Sequence, residues 1–214
     1  MQKVGYLTEF FLIFIIMPLL FVSGFLNSGM IMPVLWIVFL YTYFIMHRAG
    51  ESLSGRLFRR RDFIRILKRY LVILPALLLI ALALFPQNLF DFPRKEPVLW
   101  SILMIAYPLI SATVQEVVFR RFFFWRYQTL FSSSRIAILI NAVLFSYTHA
   151  VFFNPVAVIL SLLGGFLFAF TYVRSRSLLL VTLEHTLYGN TLFTIGLGSF
   201  FYHKPFGDGL TLSL

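Results

Sequence analysis

Ala112-Thr-Val-Gln-Glu-Val-Val-Phe-Arg120 lies at the end of an apolar run, residues 97–114, that contains no charged side chain. On a helix, Glu116 and Arg120 are one turn apart on the same face. A charge at membrane depth costs about 2.5 to 3.5 kcal/mol on insertion scales, so Glu116 and Arg120 are candidate functional residues. The structural alternative is an interfacial ion pair at the end of a spanning helix.

The composition excludes an ordinary soluble domain. Of the 214 residues, 60% are hydrophobic and 12% are charged, and the mean hydropathy is +0.89. A soluble domain has roughly twice that charged fraction, and a spanning helix needs about 20 mostly apolar residues. The sequence therefore predicts an all-α protein, a polytopic integral membrane helical bundle with about seven transmembrane helices. We expect residues 1–214 to form a single membrane domain, and the lack of cysteine excludes thiol chemistry.

Seven apolar runs are candidates for the spans. They cover residues 7–25, 30–46, 71–85, 97–119, 136–152, 156–173 and 178–201. Within the sixth run, Gly164-Gly165 would let another helix approach closely. Residues 203–214 are predicted to be a short tail, either outside or partly re-entrant.

Residues 47–70 are the most basic segment, with eight Lys or Arg residues against Glu51 and Asp62. Apolar residues lie between the arginines, which is typical of an amphipathic helix on the inner leaflet, held by anionic lipid. Lipid explains this pattern without nucleic acid, so nucleic-acid binding is not expected.

The basic residues also predict an orientation. The positive-inside rule places residues 47–70 in the cytoplasm. Seven alternating spans then leave only Arg94, Lys95 and Lys204 outside, of 18 basic residues. We therefore expect a multi-pass protein of the cell's inner or plasma membrane with a cytoplasmic N-terminus.

Three spans carry polar residues that suit hydrolytic chemistry. Glu116 and Arg120 are in the fourth span, His149 is in the fifth, and Glu184, His185 and Asn190 are in the seventh. These side chains should meet inside the bundle, because contact with lipid is too costly for charge. A carboxylate and an imidazole can activate water, and a second imidazole or an amide can donate to an oxyanion. Together they could hydrolyse a peptide bond without a covalent intermediate.

The order of these residues resembles that in the CAAX prenyl protease and bacteriocin-processing (CPBP, Abi) family of glutamic intramembrane endopeptidases. The family's motifs are Glu-Glu-x-x-x-Arg, Phe-x-x-x-His and His-x-x-x-Asn on three core helices. The corresponding stretches here are Gln115-Glu116-Val-Val-Phe-Arg120, Phe145-Ser-Tyr-Thr-His149 and His185-Thr-Leu-Tyr-Gly189, followed by Asn190. The resemblance covers about residues 97–200.

The resemblance implies roles for these positions and a type of substrate. The family's first Glu and His149 would activate water, while Glu116 and Arg120 would support the site. His185 and the family's Asn would stabilise the oxyanion. The substrate would be a membrane-anchored peptide or protein. The predicted topology places Glu116 and Arg120 near the inner interface, so we expect the site to open to the cytoplasmic side.

Two positions depart from the family's motifs. Gln115 replaces the first Glu, and an amide cannot act as a general base. Gly189 replaces the Asn, and Asn190 lies about 100° further around the helix.

Several explanations stay open from the sequence. Glu116 could be the base with Gln115 as an oxyanion donor, or Glu184 could supply the missing carboxylate. Alternatively, the chain is a non-hydrolytic binding or immunity protein, or a small transporter, although it has no repeat that would favour the latter. No cofactor is expected. Zinc held by His149, His185 and a glutamate is a minor alternative, since no His-Glu-x-x-His motif is present.

Overall fold

A computed structural model describes residues 2–202, and the predicted tail 203–214 lies outside these residues. The described chain is all-α, as predicted: it contains no β-strand, and its one isolated bridge joins Gly55 and Ser177. We number eight helices: α1 Val4–Val22, α2 Ser28–Arg48, α3 Arg60–Leu84, α4 Asp91–Lys95, α5 Pro97–Arg126, α6 Ser134–Phe152, α7 Pro155–Ser175 and α8 Leu178–Ile195.

Six of these helices, α1, α2, α3, α5, α6 and α7, are long and apolar enough to cross a membrane. The seventh predicted span is α8, which forms a helix but is less apolar because Glu184, His185 and Asn190 interrupt it. Glu184 and His185 are buried inside the protein. The chain leaves α8 at Gly196, with φ +96°, and continues as a 3₁₀ turn, Leu197–Phe201.

The prediction of a separate amphipathic helix over residues 47–70 is wrong. His47 and Arg48 end α2, residues 49–59 form a loop, and residues 60–70 are the first part of α3. The loop is held by backbone hydrogen bonds to the α7–α8 connection, where Arg56 N donates to Arg176 O at 2.9 Å. These bonds anchor the backbone of the loop and leave its arginines exposed, so it needs no helix of its own to carry the basic side chains.

Helices α6 and α7 pack closely, and a glycine makes this possible. A Cβ at Gly165 would lie 3.0 Å from Ala142 Cα and 3.1 Å from Ala142 O. Small residues of this kind let transmembrane helices approach at the backbone. The predicted close approach at Gly164-Gly165 is therefore confirmed at Gly165.

The helix ends form two opposite faces of the bundle. The basic face comprises the loops 49–59, 127–133 and 176–177. Arg121, near the end of α5, joins that helix to this face. Its guanidinium donates to the Glu51 carboxylate at 2.6 Å, and its Nε donates to Ser52 O at 2.7 Å. The opposite face comprises loops 23–27, 85–96, 153–154 and the segment 196–202, where Gly196 packs against the backbone of Asn88.

Candidate active site

Glu116 is a fully buried carboxylate between two cationic or protonatable groups. Its Oε1 lies 2.8 Å from His185 Nδ1, and its Oε2 lies 3.3 Å from Arg120 Nε. The Arg120 contact is an ion pair without a well-aligned hydrogen bond. The Arg120 guanidinium also lies 4.4 Å above the centre of the Phe145 ring, which stabilises its charge away from water.

Phenylalanines fix the His185 ring. It stacks on Phe168 with a centroid distance of 4.5 Å and an interplanar angle of 22°, and Phe145 meets it edge-on at 5.8 Å. The Glu116 carboxylate accepts a hydrogen bond from Nδ1 of His185. The other ring nitrogen, Nε2, is therefore available to a molecule in the cavity that His185 lines.

His149 is oriented by the backbone of its own helix. Its Nδ1 lies 2.7 Å from Phe145 O. A carbonyl oxygen only accepts hydrogen bonds, so Nδ1 carries the hydrogen and Nε2 keeps its lone pair. His149, which lines the cavity, can therefore accept a proton at Nε2.

Both histidines line one large cavity of about 1260 Å³. Its wall is mainly apolar, and besides the histidines its polar side chains include Tyr107, Ser111, Gln115, Ser161 and Tyr188. None of the described side chains that line it is Asp, Glu, Lys or Arg. The volume and apolar wall fit a hydrophobic segment of a substrate.

Gln115 lies in the wall of the cavity at the position where the resemblance implies a glutamate. Its Nε2 donates to Ser111 Oγ at 2.8 Å, and its Oε1 has no partner among the described residues. An amide oxygen without a partner can accept a hydrogen bond from a water molecule, but it cannot take the proton.

Glu184 lies away from the cavity wall, where it forms a buried ion pair with Arg69 of α3. The same guanidinium donates to Thr171 Oγ1 of α7 at 2.7 Å. The structure therefore brings Glu116, Arg120, His185, His149 and Gln115 together and leaves Glu184 at a junction of three helices.

Asn190 is also outside the cavity wall. Its Nδ2 donates to Met104 O of α5 at 3.1 Å. Gly189 is the residue of α8 that lines the cavity there, and the ring and hydroxyl of Tyr107 occupy the space that a Cβ at Gly189 would enter.

Tyr107 is the site residue that the sequence did not reveal. It lines the cavity with its ring 5.9 Å from His185, and its hydroxyl lies beside Gly189. The only signal in the sequence was spacing, because Tyr107, Ser111 and Gln115 recur every four residues along α5. A tyrosine in an apolar run gives no other indication of function.

Residues 97–191 match a family model described as type II CAAX prenyl endopeptidase Rce1-like. These residues form an Rce1-like domain. The match includes Gln115, Glu116, His149 and His185, so the resemblance seen in the sequence is confirmed. Comparison with curated proteins and with solved structures gave no match.

The helices before the Rce1-like domain complete the cavity. Residues 27–35 of the α1–α2 loop and α2 form one part of its wall, and residues 73–80 of α3 form another. The Rce1-like domain supplies the polar groups, and the preceding helices enclose the apolar space in front of them.

The cavity of the Rce1-like domain opens on the face opposite the basic loops. Its rim includes the exposed residues Asn27, Ser28 and Gly29, together with Tyr202, which is 52% exposed. None of the described loops of the basic face lines it. The sequence predicts an opening to the cytoplasmic side, and this stays a prediction. Helix α5 passes Tyr107, Ser111 and Gln115 to the cavity before it reaches the basic face.

Among residues 2–202, no three His, Asp or Glu side chains are grouped so that they could hold a metal ion. Glu116, the one carboxylate beside His185, already contacts His185 and Arg120. The zinc alternative therefore has no third ligand beside the two histidines in this part of the chain.

Proposed function

We propose that the chain is an intramembrane endopeptidase that hydrolyses a peptide bond of a membrane-anchored peptide or protein. The observation that carries this proposal is the arrangement of two imidazoles on one apolar cavity, one of them backed by a buried carboxylate. Membership of residues 97–191 in an endopeptidase family supports the same reaction.

His149 is the base in this proposal. A water molecule would donate one hydrogen to His149 Nε2 and the other to the unpartnered Gln115 Oε1. As the water oxygen bonds to the carbonyl carbon, its proton moves to His149, and the carbonyl π electrons move to the oxygen. Gln115 orients the water, and the His149 imidazole takes its proton.

His185 stabilises the oxyanion that forms. In its protonated form, Nε2–H donates to the oxyanion while Glu116 compensates the charge at Nδ1, 2.8 Å away. We assign the Tyr107 hydroxyl as a second donor, since the tyrosine lies beside the same ring. Glu116 then acts by positioning His185 and does not itself contact the water.

Collapse of the tetrahedral intermediate completes the reaction. The electrons on the oxyanion re-form the carbonyl bond, the carbon–nitrogen bond breaks, and protonated His149 gives its proton to the leaving nitrogen. The products are a carboxylic acid, which keeps the second hydrogen of the water, and an amine, and His149 is again neutral. The acid then gives its proton to the amine.

A cleavage assay in liposomes with a pool of membrane-anchored peptides tests the function. We expect His149→Ala to lower kcat by about 10² to 10⁴-fold, the usual contribution of a general base. His185→Ala and Glu116→Gln should also lower kcat, because the first removes a donor and the second its orienting carboxylate.

His47→Ala is the matched control, because this histidine of α2 is exposed, stacks on Tyr43 and lies outside the cavity. It should cleave at the wild-type rate. Full activity of His149→Ala would contradict the proposed base, and loss of activity with a chelator would favour the zinc alternative.

A second function is favoured by one observation, the lack of a carboxylate among the described residues of the cavity wall. A protein of this type would bind a membrane segment without turnover. Gln115→Glu separates the two functions: if only this variant cleaves, the natural chain is a binding protein on a protease scaffold.

A further inference from the structure

A second pocket, of about 80 Å³, lies where the first turns of α3 meet the last turns of α7, beside the basic face. Arg65 and Arg69 of α3 and Arg174 of α7 line it, and we call it the arginine pocket. It shares no wall residue with the large cavity. We infer that the arginine pocket binds the phosphodiester group of one anionic phospholipid. This site does not depend on the proposed function.

The charges around the arginine pocket leave one positive charge uncompensated. Arg65 pairs with Asp62 at 2.6 Å, and Arg69 pairs with Glu184. The side chain of Arg174 is exposed and makes no ion pair or hydrogen bond within residues 2–202. Three guanidinium groups thus face two carboxylates. A phosphodiester carries a single negative charge, so one such group balances the pocket.

The arginines also have N–H groups to offer. A guanidinium has five of them in a planar fork that matches the oxygens of a phosphate. Arg65 uses its Nη1 on Asp62, and Arg69 uses its Nη2 on Glu184 and Thr171. The Nε of Arg69 is buried and has no partner in the described chain. With the guanidinium of Arg174, these groups can bind a phosphate from both helices.

The carboxylates of the arginine pocket select against a zwitterionic headgroup. A choline or ethanolamine group needs a carboxylate that can balance its positive charge. Both Asp62 and Glu184 are already engaged by arginines, so such a group would meet more positive charge instead. A headgroup that ends in a neutral alcohol, as in phosphatidylglycerol, avoids this repulsion.

Apolar residues continue from the arginine pocket along the same two helices. Phe170 of α7 is part of the pocket wall and is 49% exposed. Further along, the exposed residues Leu163 of α7 and Ala76 and Ile80 of α3 line one hollow. The acyl chains of a lipid whose phosphate lies in the pocket can cover these side chains. Because a free phosphate gains nothing from this surface, it favours a lipid, and basic pockets between membrane helices are known sites for anionic headgroups.

Native mass spectrometry of the delipidated protein in detergent tests the site. The probes are phosphatidylglycerol and phosphatidylcholine with the same acyl chains. In detergent the loop arginines face no charged leaflet, so a one-to-one complex reports the pocket. We expect one phosphatidylglycerol to bind per chain, and phosphatidylcholine to bind more weakly. Equal binding of the two lipids would overturn the inference.

Arg174→Gln removes the uncompensated charge. It should raise the Kd for phosphatidylglycerol about tenfold, the loss expected for one hydrogen bond to a charged group. Lys68→Gln is the matched control, because Lys68 is exposed next to Arg69 on α3 but does not line the pocket. It should bind as the wild type does. Both variants should unfold at the wild-type temperature without lipid, which shows that they are folded. An equal loss of binding in both, or no loss in Arg174→Gln, would contradict a site at this pocket.

Soluble phosphates distinguish a lipid site from a site for free anions. Inorganic phosphate and glycerol phosphate are each added in large excess to the complex with phosphatidylglycerol. Neither should displace the lipid, because neither has acyl chains to cover the apolar surface beside the pocket. Displacement by either would make a free phosphate the ligand and overturn the lipid assignment.

Discussion

At the scale of single residues, the site is built around a buried carboxylate, Glu116. Its burial is tolerated because two buried partners interact with its charge. Glu116 contacts Arg120 and His185, and both of its oxygens are in use. A buried carboxylate without such partners would be prohibitively costly to transfer from water. This arrangement suits an orienting role for Glu116, and we propose that His149, His185 and Tyr107 contact the substrate.

Tyr107→Phe tests the second oxyanion donor. Removal of one such donor typically lowers kcat by about 10²-fold, and we expect a loss of this order with KM unchanged. Tyr70→Phe is the matched control: its hydroxyl contacts Thr191 Oγ1 of α8 at 2.6 Å, and Tyr70 is not in the cavity wall. Steady-state kinetics on both variants would contradict the role of Tyr107 if their kcat values were equal.

A rescue strengthens this prediction. Because the Tyr107 ring fills the space beside Gly189, Tyr107→Ala opens room for a side chain at position 189. The double variant Tyr107→Ala with Gly189→Asn should recover part of the kcat lost in Tyr107→Ala, since the amide supplies a donor. Gly189→Asn alone should lower kcat, because it displaces the tyrosine.

At the scale of helices, two features position the site. Helix α5 contains π turns at Pro108–Ala112 and Val117–Phe122, on either side of Gln115 and Glu116. Such turns are frequent at functional sites, and the first is held by Trp36 of α2, whose Nε1 donates to Ile110 O at 3.1 Å. The second feature is the Arg69–Glu184 pair, which joins α3 to α8.

Arg69→Met should destabilise the protein by about 3 kcal/mol, because it leaves the fully buried Glu184 uncompensated. Glu184→Gln should cost less, because Arg69 is 25% exposed and can be solvated. The double variant should lose less than the sum of the two. Unfolding in mixed micelles measures these differences. Arg65→Gln is the control one turn earlier on α3: its pair with Asp62 is more exposed, and its loss should cost less than about 1 kcal/mol.

The same variants address the role of Glu184 in catalysis. Glu184→Gln should keep the wild-type kcat at a temperature where it is folded, since Glu184 does not line the cavity. A loss of kcat in the folded variant would instead make Glu184 the carboxylate that supports the base.

At the scale of the whole molecule, charge is distributed unevenly between the two faces. The exposed arginines of the basic face border the apolar surfaces of α2 and α3. Anionic lipids attract such residues, and each Lys or Arg near the surface contributes about 1 kcal/mol. We expect contact with an anionic leaflet to account for the net charge of +10 without nucleic acid.

We expect the wild-type protein to unfold at a higher temperature in nanodiscs that contain phosphatidylglycerol than in phosphatidylcholine nanodiscs. The triple variant Arg59→Gln, Arg60→Gln, Arg61→Gln should lose most of this difference, and high salt should reduce it in the wild type. An equal difference in the triple variant would show that the basic face does not bind anionic lipid.

The sequence by itself determined the all-α membrane architecture and most of the helix positions. A long apolar run in the bilayer must satisfy its backbone N–H and C=O groups internally, and a helix does so within the run itself. It also identified Gln115, Glu116, Arg120, His149 and His185, since polar residues in such runs stand out. Only the tertiary structure decided which of the polar residues meet. Glu184 directly precedes His185 and Asn190 directly follows Gly189, so periodicity could not separate them. Their contacts with Arg69 and Met104 nevertheless turn Glu184 and Asn190 away from the cavity. The position of Tyr107 against Gly189 and the opening of the cavity away from the basic face likewise depend on how α5 packs against α8, which no local pattern encodes.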